Sequence, residues 1–483
     1  MLRSRSTRIW VVLLLAYTAA SALRFKDGRQ KAEPYEPGRI AEALAQGHGF
    51  SYPAADQWFF LRRERDTTRF RPTAWQEPVW PAVMAGADRV FPDSGRARDA
   101  LIGLRALLLI ATAPALLLLA RTLFGPRLGT ATGVLAGTIL ILLEEVQDGV
   151  FSSIKSQYLL ALEVVLACWL LVELRRRPTP ARGAVLGALL GITALTGSVT
   201  MLMAPIAAAV LLQARKTALA LLCAWVAVIL PWSVRNYHVF GELVPIRTGF
   251  GLILMSGNPI LGQTIAPEKG GCSGFERPVF AARGAWEAVE RATAAGDAKR
   301  MDSRPVDCGA RDPNGRYFSM NEAERDRYWG AAGWRFIAAE PGIAARLALA
   351  KPGHFFFRTG HHATAITLAA LIGLALSLRT SSAVVVFLTA LSQAVPYVLT
   401  IPYSYRYRYP LEPMLLLFGA YAIVVLGTRA GRMALPVLSG RGRPADPGGV
   451  GAAADVGPSS AHERRPSPGE KDVRTGLSTP GFP

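Results

Sequence analysis

The sequence has little cysteine, little histidine and a shortage of acid. Its 483 residues include four Cys and six His. No C-x-x-C pair and no Cys/His ligand spacing occurs, which excludes the common zinc frameworks. Cys168 and Cys223 lie inside apolar runs, where a thiol is most simply a packing group. His361 and His362 are adjacent, so on a helix they point in different directions and do not share a metal. Asp and Glu total 35 against 54 Lys and Arg, leaving a net charge of +19 and a pI near 10.2. Such a balance suits nucleic acid, but no nucleic-acid motif accompanies it. The basic residues instead stand between apolar runs, as topology signals do. Paired repeats and midplane interruptions of helices, the marks of many transporters, are not evident.

Long apolar segments are what the chain does have. It is 51% hydrophobic with a mean hydropathy of +0.25. Runs such as Ile9–Leu23 and Leu107–Ala120 approach the roughly 20 residues that cross a bilayer core. About ten spans follow from this length rule, at 9–23, 101–120, 129–144, 157–173, 183–196, 199–213, 217–232, 363–378, 382–400 and 411–427. The predicted fold class is therefore an all-α polytopic membrane protein. The first run resembles a signal peptide, but Leu23-Arg24-Phe25 is a poor cleavage site, so it is read as a retained helix.

Alternate short connections are basic: Arg3, Arg5 and Arg8; Arg121 and Arg127; Arg175 to Arg177 with Arg182; Arg215 and Lys216; Arg379; Arg429 and Arg432. These face the cytoplasm, both termini are inside, and the long segments 24–100 and 233–362 face outward. The predicted organisation is a transmembrane domain over 1–432 and a disordered cytoplasmic tail over 433–483, which is rich in Gly, Pro and Ser. The first outer loop should carry surface helices near Gly38–Gln46 and Pro78–Val90. The second should carry one from Asn321 to Ala339, a break at Glu340-Pro341-Gly342, and another helix to Ala350. Glycine strings such as Gly183–Gly191 are read as helix-packing surfaces.

Three segments stand apart. The first runs from Tyr35-Glu36-Pro37-Gly38-Arg39 through Gly47-His48-Gly49-Phe50 to Pro72-Thr73-Ala74-Trp75 and Pro78-Val79-Trp80-Pro81. The second is Pro231-Trp232-Ser233-Val234-Arg235-Asn236-Tyr237, with Phe240-Gly241 and then Gly257-Asn258-Pro259. The third is Tyr405-Arg406-Tyr407-Arg408-Tyr409-Pro410-Leu411-Glu412-Pro413. In these strings, over about residues 5–430, the chain resembles the GT-C superfamily of membrane glycosyltransferases. It looks most like the bacterial glycosyltransferase family 39 group, with its protein O-mannosyltransferases and lipid A aminoarabinose transferases. The resemblance implies a sugar donor on polyprenyl phosphate, a lipid, glycan or protein acceptor, a carboxylate in the first outer loop, and transfer outside the cytoplasmic membrane.

Elementary chemistry asks for the same groups. Glycosyl transfer from a lipid phosphate needs a base for the acceptor hydroxyl and cations for the departing phosphate. Glu36 is the first candidate base, then Glu33; the alternative is that both are solvated loop carboxylates. Where the family usually has Asp, this chain has Glu, which keeps a non-catalytic membrane scaffold as a further reading. Glu77 is either a second active-site carboxylate or a cap for the helix after it. For the phosphate the candidates are Arg235, Arg406 and Arg408, whose forked guanidinium groups match its oxygens. Their alternative role is interfacial anchoring among Trp and Tyr. Arg39 and Lys155 are weaker candidates. Glu144, Glu145 and Asp148 could hold a divalent cation or simply form a solvated helix end. Cys272 and Cys308 share the second outer loop, where an oxidising compartment would favour a disulfide.

Overall fold

The computed structural model describes residues 5–24, 36–53, 69–143, 146–147, 149–150, 155–255, 257–258, 320–358, 362–400 and 405–439. Within them every expected span carries a helix: α1 (Arg5–Arg24), then, after the first loop with its helices α2 (Glu36–Ala45) and α3 (Val79–Val90), α4 (Ser94–Phe124), α5 (Pro126–Leu142), α6 (Gln157–Arg176) and α7 (Pro180–Thr196). A 3-10 turn (Ser198–Leu202) leads to α8 (Met203–Val210) and α9 (Arg215–Phe240). The second loop holds α10 (Phe250–Met255), α11 (Glu322–Ala339) and α12 (Pro341–Phe357). The chain then returns through α13 (Ala363–Ser377), α14 (Ser381–Leu391), α15 (Ala394–Leu399), α16 (Tyr405–Arg408) and α17 (Glu412–Ser439).

Among the described residues, four helical stretches are long and apolar enough to cross a membrane: Ser94–Phe124, Gln157–Arg176, Leu212–Phe240 and Tyr409–Ala430. Six shorter apolar helices accompany them. The chain is an all-α membrane protein.

Local chemistry sets the boundaries. Asp93 caps α4 by accepting from the Gly95 and Arg96 amides at 2.7 and 3.1 Å. Gly125, at φ +82°, turns the chain, and Pro126 begins α5 where a missing N–H is harmless. Asn321 and Glu324 cap α11 reciprocally, each side chain taking the other's backbone N–H at 2.9 and 2.7 Å.

Small residues set how closely the helices pack. Gly129, Gly133 and Gly137, spaced four residues apart, form a stripe on α5 against α4, and Gly183, Gly187 and Gly191 form another on α7 against α9. A β-carbon at Gly187 would stand 2.0 Å from the Leu221 carbonyl oxygen, so only glycine allows this approach. The buried centre is built from Leu109, Leu116, Leu140, Val164, Cys168 and Phe418, while Val12, Leu219, Leu230 and Leu371 point outward.

Four details differ from the sequence expectations. The seventh span runs on to Phe240 with Pro231 inside it, so Arg235 is on a helix and not in the loop beyond. The ninth span is interrupted between α14 and α15 at buried Ser392 and Gln393, where an unbroken helix was expected. The break follows from Pro396, which cannot donate to Ser392 in a continuous helix. The last helix passes Arg432 into the predicted tail, ending at Ser439. A two-stranded antiparallel ribbon pairs Ser51–Pro53 with Phe70–Pro72, although strands this short carry no readable alternation.

Candidate functional site

The layer formed by the two long loops is organised around the last turns of α9. Trp232 donates its indole N–H to the Ile246 carbonyl at 2.6 Å, and Ser233 donates to Pro245 at 2.7 Å. Asn236, fully buried, donates to Val244 and Ile246 at 3.0 and 3.1 Å. These bonds fold the chain after Gly241, whose φ is +70°, back along α9.

Arg235 then reaches into the first loop. Its guanidinium donates to the Phe50 carbonyl at 2.7 Å, to the Thr73 carbonyl at 2.7 Å and to Asn236 Oδ1 at 2.9 Å. It lies 4.9 Å from the Trp232 ring and 5.7 Å from the Phe50 ring, which meet edge to face. The ribbon makes this possible by bringing Phe50 and Thr73 side by side, with the Thr73 amide on the Phe50 carbonyl. Strings far apart in the sequence therefore converge on one side chain.

Carboxylates flank this junction. Glu322, at the start of α11, accepts from Thr73 Oγ1 at 2.7 Å, from the Ala74 amide at 2.9 Å and from Thr248 Oγ1. Desolvation, with Asp326 beside it, holds its carboxyl above the usual range despite these donors. Asp326, one turn on, accepts from the Gly251 and Leu252 amides at 2.8 and 3.3 Å. Burial raises its carboxyl too, against those amides and Arg247.

Glu77 does not cap the next helix: Pro78 holds the N-cap position of α3 without a side-chain bond. Glu77 turns instead to the α7–α8 hairpin, accepting from the Ser198 amide at 3.1 Å and Ser198 Oγ at 2.7 Å, and pairing with Arg247 at 3.3 Å. Desolvation opposes its charge, but Arg247 and Ser198 outweigh it and hold the carboxyl below its ordinary value. Arg247 also stacks 5.4 Å from the Trp75 ring.

The remaining candidates are scattered. Glu36 opens α2, but its side chain lies outside the described residues, as does Glu33. Arg39 pairs with Glu42 at 3.2 Å on an exposed helix face. The Arg406 side chain is also outside the described residues. Arg408 differs from an open phosphate clamp. It is wholly buried, pairs with Glu412 at 2.8 Å, and donates to the Phe356 and Ala363 carbonyls at 2.8 and 3.3 Å. Lys155 is half-buried near the start of α6. Glu144, Glu145, Asp148, Cys272 and Cys308 lie outside the described residues. Among those described, no group of three His, Cys, Asp or Glu side chains is placed to hold a metal ion.

Sequence reading passed over several groups. Glu322 and Asp326 read as ordinary helix-start acids, although three acids within five residues is dense for so basic a chain. Arg247 has no motif around it. Lys351, on α12, is buried and donates to Asn258 Oδ1 at 2.9 Å and the Leu399 carbonyl at 3.0 Å. Burial pulls its ammonium down to about 8. His354, a turn later, is pulled to about 4 by burial and Arg358, and is neutral at pH 7.

No protein-family model matches the chain, and no curated protein matches it. Among solved structures it is similar to the apo oligosaccharyltransferase of Archaeoglobus fulgidus, at 13% identity and a TM-score of 0.49, over 91% of this chain and 53% of that one. The Archaeoglobus fulgidus AglB complex with an inhibitory peptide and a dolichol-phosphate aligns at 13% identity and a TM-score of 0.47, over the same shares. ArnT from Cupriavidus metallidurans, bound to undecaprenyl phosphate, aligns at 18% identity and a TM-score of 0.33, over 91% of this chain and 82% of that one. The chain spans about half the length of the archaeal enzyme.

Proposed function

We propose that this chain is an inverting membrane glycosyltransferase of the GT-C type, resembling family 39. It moves a sugar from a polyprenyl-phosphate donor to an acceptor hydroxyl on the outer face of the cytoplasmic membrane. The observation that carries the reading is the convergence at Arg235. The G-x-G-F, P-T-A-W and P-W-x-x-R-N-Y strings, read from sequence as parts of one enzyme, meet at a single guanidinium.

In this reading Glu36 takes the proton of the acceptor hydroxyl, whose oxygen attacks the anomeric carbon. The bond from that carbon to the phosphate oxygen breaks, and the polyprenyl phosphate leaves with the electron pair. Arg406, on the connection after the ninth span, supplies positive charge to it. Arg235 supports the site by holding Phe50 and Thr73; a phosphate on Arg235 would have to displace one of those carbonyls. Arg408 holds α12, α13 and α17 together beneath the connection. Glu77 and Arg247 fix the loop against the α7–α8 hairpin.

The interrupted ninth span favours a second reading, a lipid or solute transporter, because broken helices with buried polar residues build transport sites. Purified full-length protein in proteoliposomes separates the two. Sugar transfer from a radiolabelled polyprenyl-phosphate sugar, with inversion at the anomeric carbon, is the expected result. Lipid or solute movement without transfer would replace the enzyme by the transporter.

A further inference from the structure

Lys351 is 1% exposed, yet both of its bonded partners among the described residues are neutral oxygens, those of Asn258 and Leu399. Its third N–H meets no acceptor among the described residues, and no carboxylate pairs with it there. Two other buried or half-buried cations near the long loops are paired with acids. Arg408 has Glu412 at 2.8 Å, and Arg247 has Glu77 at 3.3 Å. Arg105 is equally buried and has no acid partner among the described residues, but its charge is spread over two carbonyl bonds and the Tyr158 face. A lysine ammonium is compact and strongly hydrated, so burying it against neutral oxygens alone is expensive. With a pKa of about 8 it is still mainly protonated at neutral pH.

The position is informative as well. Asn258 belongs to the Gly257-Asn258-Pro259 string, and Leu399 ends α15 just before the Tyr405–Pro413 string. Lys351 thus ties the Gly257-Asn258-Pro259 string to the end of α15, and no motif reading included it.

We propose that Lys351 is an anion-binding residue whose ammonium, held between the Asn258 carboxamide and the end of α15, takes the phosphate of the polyprenyl carrier as its counter-charge. This rests on the glycosyltransferase reading above and adds to it the group that grips the leaving phosphate.

The test measures binding of undecaprenyl phosphate, and separately of inorganic phosphate, to the full-length protein in nanodiscs. Removing the charge with Lys351→Met should weaken undecaprenyl phosphate binding about tenfold or more, whereas Lys351→Arg should retain most of it. Asn258→Asp leaves the lysine in place and gives it a carboxylate partner, so it too should weaken binding. A purely structural tie between α12 and α15 predicts no such loss from Asn258→Asp. If Lys351→Met does not fold, Asn258→Asp carries the test alone. Equal affinity for undecaprenyl phosphate in the parent, Lys351→Met and Asn258→Asp overturns the assignment, while sugar transfer by the parent would leave the glycosyltransferase reading standing. A Lys351-dependent site that takes inorganic phosphate but not the lipid overturns the carrier as its ligand. A parent that neither binds undecaprenyl phosphate nor transfers sugar overturns both.

Discussion

Glu77 shows how much one side chain can set in the layer of the long loops. It accepts two bonds from Ser198 and one from Arg247, so it fixes the first loop to the α7–α8 hairpin and to the segment after α9. Glu77→Gln keeps the shape and can keep an oxygen where Oε1 takes all three donors, but it removes the charge that strengthens those bonds. Removing such charge-assisted bonds should lower stability by about 1–3 kcal/mol, read as a drop in Tm of the detergent-solubilised protein. The pH dependence has a definite sign. The folded carboxyl sits below its ordinary value of 4.5, so its stabilisation is complete above that value. It is lost as pH falls through the lower folded value, and the gap in Tm between parent and Glu77→Gln should narrow on acidification. A gap that widens instead would contradict the assigned network. Sequence alone could not choose between this role and a helix cap, because Ser198 is 121 residues away. Separations of 249 and 93 residues likewise hide Glu322 from Thr73 and Lys351 from Asn258.

At the scale of elements, the sequence was most legible where packing repeats. Long apolar runs located a helix for every span, and the Gly183–Gly191 string anticipated a close helix contact. What was missed is short or non-local. The three-residue strands are set by a pairing across the loop, and the break near Ser392 depends on a single proline in an otherwise apolar run. The glycine stripes give a sharp prediction. Gly187→Ala places a β-carbon on the Leu221 carbonyl and must push α7 from α9, at a cost of about 1–3 kcal/mol. Gly86→Ala, on α3, meets nothing within 4 Å and should instead hold or raise stability, as alanine does at an open helical position. Melting temperatures of the two variants check this, and equal losses would mean that close packing of α7 on α9 is not what glycine serves.

For the whole molecule, we propose from the alternating basic connections that both termini are inside and both long loops outside. A reporter active only in the cytoplasm should therefore be active when fused after Thr428 and silent when fused near Asn314. The reverse pattern would place the Arg235 junction on the cytoplasmic side and remove the proposed site from the outer face. The central claim is that this outer layer transfers a sugar with a first-loop carboxylate as base. It is tested most directly by single-turnover transfer from a labelled polyprenyl-phosphate sugar, comparing the parent with Glu36→Gln. Glutamine keeps the shape and removes the base, so the rate should fall about 100-fold or more while donor binding persists. Transfer by Glu36→Gln at the parental rate, with Glu33→Gln equally active, would contradict the account.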